Sequence, residues 1–415
     1  MHIKAFHGIR PAPGKTAEVV CPPYDVINSA EAAELAKGKP LSFLHVIKPE
    51  ISLPEGTELY SDAVYAAARE NLSRLLDEGA LVRDPSPSLY IYRQKMGDHV
   101  QTGVVGAASV DEYDQDLIKK HEYTRPNKED DRTRHVDTTS ANAGPVFLTY
   151  RAHRPIDRLI ASLTQNPPDV EASHAGVQHW LWCVTDPQAV SAIEASFAEI
   201  PCSYVADGHH RSASASRVRA NRRDRAAHHT GMEDYNRFLA VIFPDEQLAI
   251  LPYNRVVRDL NGLDPNAFLA AVKTRFDVDH ADDPRPATAR EFCMYLSGSW
   301  YRLRIHDALV DRTDPVASLD VALLQDNLLA PILAIGDPRL DERVDFVGGI
   351  RGTSALSDRV DGGKWAVAFS MHATTIEQLL KVADAGTVMP PKSTWFEPKL
   401  LSGLVTHALD GEGPA

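Results

Sequence analysis

The chain has 415 residues, of which 43% are hydrophobic and 24% are charged, as in an ordinary globular protein of about two or three domains. Its formal net charge of −13 at pH 7 argues against broad nucleic-acid binding, which requires a basic surface. The sequence has no run of about 18 apolar residues, no secretory signal and no zinc-ligand spacing among its four scattered cysteines, so we expect a soluble cytoplasmic protein with reduced thiols.

The N-terminal region predicts a mixture of helices and strands. The sequence Cys-Pro-Pro-Tyr-Asp-Val-Ile at 21–27 predicts a stiff turn before a helix start at Asn28-Ser29, and its Tyr24 and Asp25 either line a pocket or only cap the helix. Apolar residues at helical spacing predict a helix over 61–79. Strands over 89–94 and through 104–106, joined at Gly97-Asp98, predict a β-hairpin.

The segment 119–135 is densely charged, with Lys, Arg, Asp and Glu interleaved with His and Thr. Such runs are usually solvated faces. Here the order of acids and bases favours binding of a charged small molecule, and Pro126-Asn127 suggests a mobile loop that closes over it. His121, Lys128 and Arg132 are candidate substrate contacts, and Glu122 is a candidate catalytic carboxylate.

The sharpest local signal is the loop Asp207-Gly208-His209-His210-Arg211. Predicted strand 179–184, helix 187–198 and strand 203–206 precede it, and a helix follows to about Arg225. A helix N-terminus presents unpaired N–H groups to anions, and histidine and arginine add donors suited to phosphoryl oxygens. An aspartate at a strand end can bind magnesium or accept a proton. The alternative is Asp207 as a plain N-cap with the histidines buried in the interior.

The C-terminal region predicts strands over 238–243 and 300–305 and helices over 265–276 and 316–329. We therefore expect a phosphate-binding domain over 1–235 and an α+β domain over 236–415 whose last segment packs back on the active site. Lys392, Ser393 and Thr394 lie in the proline-rich segment 389–399 and are candidate phosphate contacts, although the Gly-x-x-x-x-Gly of a Walker A loop is absent. A closing segment anchored by Trp395 is the alternative.

The ordered motifs resemble those of a bacterial family catalogued as domain of unknown function 1015. They are Cys-Pro-Pro-Tyr-Asp-Val, Lys-Lys-His-Glu-x-Thr with Lys-Glu-x-Asp-Arg, Ala-Asp-Gly-His-His-Arg, Tyr-Asn-Arg at 253–255, and Met-Pro-Pro-Lys-Ser-Thr-x-Phe-x-Pro-Lys. The loop 207–211 also resembles the signature loop of free serine kinases, which belong to the ParB/sulfiredoxin-like superfamily. This resemblance implies an α+β protein: a ParB/sulfiredoxin-like mixed α/β core with large insertions and an additional C-terminal α+β region.

The same resemblance implies a Mg²⁺-dependent kinase that converts free L-serine to O-phosphoserine with ATP or ADP. It implies that Gly208, His209, His210 and Arg211 contact phosphates and that Asp207 lies near the metal or the substrate hydroxyl. His209 stands where sulfiredoxins have a cysteine, so sulfinic-acid reduction is not expected. No motif assigns the general base, and Glu122 is chosen for its chemistry.

Two other functions fit the same residues. One is a phosphatase, or a kinase for another hydroxy compound. The other is a nucleotide-binding regulator of ParB-like type without turnover. In each case the expected partners are a nucleotide and a small molecule, neither a membrane nor a nucleic acid is expected, and a homodimer is compatible with the sequence.

Overall fold

Helices and strands alternate along the chain in a computed structural model that describes residues 1–410. In chain order the strands are β1 (Ile3–Lys4), β2 (Gly8–Pro11), β3 (Leu81–Arg83), β4 (Leu89–Met96), β5 (His99–Ser109), β6 (Ile118–Lys119), β7 (Ala141–Asn142), β8 (Val146–Tyr150), β9 (Val170–His174), β10 (Val177–Val184), β11 (Ser203–Asp207), β12 (Arg237–Pro244), β13 (Ala249–Leu251), β14 (Tyr253–Val257), β15 (Phe276–His280), β16 (Glu291–Leu296), β17 (Ser299–Ile305), β18 (Val344–Gly348), β19 (Val367–Met371), β20 (Trp395–Glu397) and β21 (Thr406–Ala408).

The α-helices are α1 (Thr16–Val19), α2 (Ser29–Ala36), α3 (Leu44–Ile47), α4 (Asp62–Asp77), α5 (Val110–Asp114), α6 (Pro126–Thr139), α7 (Arg154–Leu163), α8 (Pro187–Ala198), α9 (His209–Arg225), α10 (Pro265–Val272), α11 (Asp320–Leu324), α12 (Ser354–Asp361) and α13 (Ile376–Asp384). Short 3₁₀ turns occupy Pro49–Ser52, Asp234–Asn236, Asp245–Gln247, Asp307–Leu309 and Gly349–Arg351, and a π turn, Gln325–Leu329, follows α11.

The first compact unit comprises residues 1–248 together with the described residues from 398 onward. Its large sheet has the order β6-β11-β8-β12-β5-β4-β10-β9, with β1 also paired to β5. The β11–β6 and β12–β8 pairs are parallel, and the other pairs of this sheet are antiparallel. Apolar residues such as Leu148, Val205 and Ile242 are fully buried in its core. The sheet therefore holds β11, the strand that leads into the loop 207–211, between two neighbours.

In a smaller sheet, a strand near the end of the described chain pairs with a strand near its beginning. Its order is β3-β2-β21-β7, all antiparallel. Strand β21 pairs with β2 on one side and with β7 on the other, so residues 398–410 are an integral part of the first unit.

The second compact unit comprises residues 249–397. Its main sheet has the order β15-β17-β16-β19-β14-β18, and β13 forms a separate ladder with β20. Helix α12 packs on the main sheet through a buried cluster that includes Leu356, Val256 and Trp365. The predicted domain boundary after residue 235 precedes β12, which lies inside the first unit's sheet because it pairs with β5 and β8.

Several predicted elements are confirmed. Helix α8 occupies the predicted residues, because Pro187 fits the first helical position and Asp186 caps the N-terminus by accepting from the Ala189 amide. The predicted hairpin is β4–β5, with Gly97 at φ 58° in its turn. Helix α4, strand β11 and helix α9 also lie where the patterns placed them.

The prediction of a mobile loop at Pro126-Asn127 is wrong. Residues Ile118–Lys119 form strand β6, and α6 begins at Pro126, whose fixed φ suits the first turn of a helix. Two predicted helices are also shorter than expected. Helix α10 ends at Val272 and is followed by β15, and α11 begins only at Asp320 before passing into the π turn.

Within residues 1–410, the longest apolar helical stretches fall short of what a membrane span requires.

Candidate active site

The turn between β11 and α9 is built around Gly208. Its φ of 97° and ψ of 30° lie in the left-handed region that side chains with a Cβ avoid. A Cβ there would also lie 3.4 Å from the Cα of Val146. The amides of Arg211 and Ser212 both donate to the Gly208 carbonyl, so the first helical turn leaves the amides of His209 and His210 without an intrahelical acceptor. Residues 207–211, called the anion nest from here on, thus combine a helix N-terminus with the guanidinium of Arg211.

Asp207 is the last residue of β11 and the first residue of the anion nest. Its Oδ2 accepts from Lys399 Nζ at 2.8 Å, and the two side chains are 31% and 21% exposed. Burial alone would raise the pKa of the Asp207 carboxyl, but Lys399 and Arg211 together lower it well below its usual range. Asp207 is therefore a fixed negative charge at neutral pH.

Three residues, His121, Glu122 and His209, form what is named the histidine cluster below. The two imidazole rings are 1% and 5% exposed and meet edge to face, with centroids 4.4 Å apart. His209 Nδ1 lies 3.9 Å from Glu122 Oε2, and the His121 amide lies 3.5 Å from His209 Nε2, a long contact. Within residues 1–410, these three residues are the one group of His, Cys, Asp and Glu whose ligand atoms come within 4.8 Å of one another.

Burial controls the charge of both imidazoles. It lowers the pKa of His121 to about 4, against the smaller opposite effects of the Asp207 carboxylate and the Val205 carbonyl. It also lowers the pKa of His209 well below the usual value, and the neighbouring His121 lowers it further. Both rings are therefore neutral near pH 7, and neither His121 ring nitrogen has a hydrogen-bond partner of normal geometry.

On the other side of the anion nest lies the arginine cluster of Tyr24, Asp25, Arg132 and Arg211. Arg211 donates to Asp25 Oδ2 at 2.6 Å and to the Pro145 carbonyl at 2.6 Å. The guanidinium groups of Arg132 and Arg211 lie 4.1 and 5.3 Å from the centroid of the Tyr24 ring. The sequence-predicted residues Tyr24 and Asp25 are thus brought to the anion nest.

A second carboxylate supports this cluster from α6. Asp131 binds Arg132 at 2.7 Å and accepts from the Tyr65 hydroxyl at 2.9 Å. A cavity of about 30 Å³ lies beside Tyr24, Arg132 and Arg211. It has room for about two water molecules, which is too little for a serine or a nucleotide.

The segment before α6 contacts the first turn of α9. The Arg125 amide donates to His210 Nε2 at 3.0 Å, and the Thr124 hydroxyl donates to Glu129 at 2.7 Å. Lys128, predicted as a substrate contact, donates to the hydroxyl of Tyr60 at 3.0 Å.

Lys392, Ser393 and Thr394 belong to the second unit. Ser393 is buried, and its hydroxyl donates to the Pro390 carbonyl at 2.6 Å. The exposed Lys392 holds its ammonium 5.3 Å from the centroid of the Tyr253 ring, and its carbonyl accepts from Arg255. Their role as phosphate contacts stays a prediction.

Sequence reasoning missed Lys399 as a member of the site. It stands at the end of the same proline-rich motif as Lys392, so its presence in that motif was the available signal. No local pattern reveals its partner, because Asp207 is 192 residues away in the chain. Asp131 and Tyr65 were missed for the same reason.

Comparisons with known proteins add a family and three remote structural likenesses. The family model described as "Protein of unknown function (DUF1015)" matches residues 3–322, and no curated protein matches the chain. A mutant free serine kinase in complex with AMP aligns with a TM-score of 0.37 and 12% identity, covering 75% of this chain and 92% of that one.

A conserved hypothetical protein from Pyrococcus furiosus aligns with a TM-score of 0.35 and 13% identity, covering 75% of this chain and 96% of that one. SbnI with a C-terminal truncation, from Staphylococcus aureus, aligns with a TM-score of 0.38 and 11% identity, covering 72% and 85%. TM-scores this low do not establish a common fold or activity.

Proposed function

The chain belongs to the family described as protein of unknown function (DUF1015), and we propose, from the residues of its candidate active site, that it is a small-molecule kinase. In this proposal it transfers a phosphoryl group from ATP or ADP to the hydroxyl of free L-serine, forming O-phosphoserine. The observation that carries the proposal is the anion nest with its neighbours. A helix N-terminus and Arg211 meet there, the buried His209 lies beside Glu122, and Asp207 pairs with Lys399. We also assign the first unit to the ParB/sulfiredoxin-like class, on the strand–Gly–helix signature loop.

The nucleotide phosphates bind at the start of α9. The amides of His209 and His210 lie at the N-terminus of α9, where the helix dipole favours negative charge. Arg211 adds a guanidinium, which is always protonated and suited to phosphoryl oxygens. Gly208 permits this turn because its φ of 97° is strained for residues that carry a Cβ.

Glu122 serves as the general base in this reaction. Its side chain is 41% exposed, so it can reach a small acceptor, and His209 Nδ1 lies 3.9 Å away to orient it. The serine hydroxyl passes its proton to the Glu122 carboxylate while its oxygen bonds to the terminal phosphorus. The bond from that phosphorus to the bridging oxygen breaks, and the shortened nucleotide leaves.

Magnesium, which the resemblance implies, would be held by Asp207, and when bound it neutralises charge on the transferred phosphoryl group. The donor chemistry fits, since Mg²⁺ prefers carboxylate oxygens and keeps several waters. Lys399 already occupies Asp207 Oδ2. This chain's own part is to hold Asp207 ionised, through Lys399 and Arg211, whatever ion is present.

The acceptor lies between the histidine and arginine clusters in this proposal. His121, Tyr24 and Asp25 form the wall near the anion nest, whereas Lys128 and Arg132 act from α6. Because Arg132 is paired with Asp131 and Asp25 with Arg211, these charges shape the site as pairs. A cytoplasmic location and a homodimeric state stay predictions.

Product analysis tests the proposal directly. The full chain would be incubated with Mg²⁺, with ATP or ADP, and with L-serine, and O-phosphoserine would be measured by mass spectrometry. Thermal shift with each nucleotide would be measured in parallel. We expect both stabilisation and O-phosphoserine. Stabilisation without a product from any hydroxy amino acid would favour the regulator, and a phosphorylated product from another hydroxy compound would reassign the acceptor.

A further inference from the structure

His121 is the most poorly satisfied polar side chain of the site. It is 1% exposed, and neither Nδ1 nor Nε2 has a hydrogen-bond partner of normal geometry. A buried polar group without a partner is costly, so native proteins rarely keep one without a reason. The ring lies against His209 and belongs to the histidine cluster, so its bare nitrogens point to a ligand that binds there.

The other two residues of the cluster offer ligand atoms at the right range. The ligand atoms of His121, Glu122 and His209 all lie within 4.8 Å of one another, and His209 Nδ1 is 3.9 Å from Glu122 Oε2. Tetrahedral ligands about 2.0–2.2 Å from zinc are roughly 3.3 Å apart. Side-chain shifts of about 1 Å would therefore close the three residues around one ion.

We propose that His121, Glu122 and His209 form a binding site for one first-row transition-metal ion, such as Zn²⁺, Mn²⁺ or Fe²⁺. Two imidazoles and one carboxylate suit these ions, whereas Mg²⁺ prefers an all-oxygen set. His209 would bind the ion through Nδ1, the ring nitrogen that faces Glu122 at 3.9 Å, with its proton on Nε2, whose contact with the His121 amide is long at 3.5 Å. The exposed edge of Glu122 gives an entry path and leaves coordination positions for water or substrate.

This site is distinct from the magnesium role proposed for Asp207. The metal site would also affect the proposed kinase reaction, and this one consequence rests on the proposed function. A Glu122 carboxylate bound to a metal is a weaker base, so the ion would inhibit serine phosphorylation in proportion to its occupancy. The binding itself depends only on the three ligands and can be measured without nucleotide or serine.

Metal titration of the full, metal-stripped chain tests the site. Zn²⁺ binding would be measured by isothermal titration calorimetry, and Co²⁺ would report the coordination through its visible absorption. We expect one Zn²⁺ per chain, not displaced by excess Mg²⁺. Glu122→Gln and His209→Gln should each weaken binding at least about tenfold, since even supporting residues around metal sites contribute about 10–100-fold.

The matched control is the double variant His228→Gln/His229→Gln, which removes the paired histidines outside the site. His229 faces Glu233 at 3.2 Å, so this pair tests for adventitious binding by a surface His–Glu pair. Unchanged affinity in the control supports the proposal. No saturable Zn²⁺ binding, loss of binding only in the control, or phosphate binding at His121 without metal binding would each overturn it. Because Glu122 is partly exposed, its variant is expected to fold even if a change at His121 or His209 disturbs packing.

Discussion

The two sides of the anion nest differ in how fully their polar groups are satisfied. In the arginine cluster each charge has an opposite charge beside it: Arg211 with Asp25 at 2.6 Å and Arg132 with Asp131 at 2.7 Å. In the histidine cluster, His121 is buried with bare ring nitrogens, and the Glu122 carboxylate lies 3.9 Å from His209. Burial without partners is costly, whereas buried pairs hold their geometry.

We therefore expect the arginine cluster and the histidine cluster to have different roles. The arginine cluster is assembled before any ligand arrives, so it sets position and charge around the start of α9. In the histidine cluster, the ring nitrogens of His121 are unused, and a substrate or ion can bind them. Substitutions on the arginine side should therefore change affinity and stability, and those on the histidine side should change turnover and metal binding.

The largest effect is expected for Glu122→Gln. A positioned carboxylate base contributes about 10²–10⁴-fold, so kcat for O-phosphoserine formation should fall at least about a hundredfold. The nucleotide Kd should stay nearly unchanged, because the phosphates are held elsewhere. Steady-state kinetics and calorimetric nucleotide titration measure the two. The control Glu171→Gln makes the same chemical change on the exposed edge strand β9. Near-normal turnover in Glu122→Gln would move the base to another residue.

Arg211→Ala should act mainly on affinity. A hydrogen bond to a charged group contributes about 1.5–3 kcal/mol, which corresponds to a roughly ten- to hundredfold rise in the nucleotide KM. The variant also leaves Asp25 and the Pro145 carbonyl without their partner, so a loss of thermal stability like that of other half-buried ion pairs is expected. Asp25→Asn is the informative companion, since it keeps Arg211 and removes only the pairing. An unchanged KM in Arg211→Ala would take the guanidinium out of the phosphate site.

Lys399→Met tests the ion pair on the strand side. Both partners are only partly exposed, so the loss should fall between the values for surface and buried pairs, about 1–3 kcal/mol of unfolding free energy. Chemical denaturation measures it. Lys381→Met is the matched control, because its pairing with Glu377 at 3.9 Å is exposed and is worth less than about 1 kcal/mol. Equal losses of unfolding free energy in the two variants would mean that the Lys399–Asp207 pair contributes no more to stability than an exposed ion pair.

Lys392→Met should have the smallest effect. Its ammonium is exposed and lies near the Tyr253 ring, so the fold should be unchanged. If it contacts phosphate, the nucleotide KM should rise a few-fold, as for a solvent-exposed charge pair of about 0.2–1 kcal/mol. This point variant tests the role of Lys392 alone. A truncation after Val388 would remove Lys392 but also β21, a strand of the first unit's small sheet. No change in KM would leave Lys392 with a structural role only.

The sequence predicted this site unevenly, and the reasons are physical. Helices α8 and α9 were found because a cap, a proline and a glycine mark their starts. Helix α6 was read as a loop because its buried face is largely polar, with Asp131, His135 and Thr139 all buried. Apolar periodicity cannot detect such a face, since its residues are satisfied by partners far away in the chain, such as Tyr65 and the Val46 carbonyl.

The residues of the histidine cluster could be predicted from the sequence, but their hydrogen bonding could not. His121, Glu122 and His209 were all named as candidates from residue chemistry. Their proximity depends on β6 pairing in parallel with β11, which brings the residues after Lys119 beside the start of α9. The bare nitrogens of His121 and the Lys399 partner of Asp207 could be found only from the folded chain.

A crystal structure of the full chain with ADP tests the central claim most directly. The account predicts the terminal phosphate within hydrogen-bond distance, about 3 Å, of the His209 and His210 amides, with Arg211 on the same phosphate. Phosphates more than about 6 Å from the amides of residues 208–211, or twice a hydrogen-bond length, would contradict it.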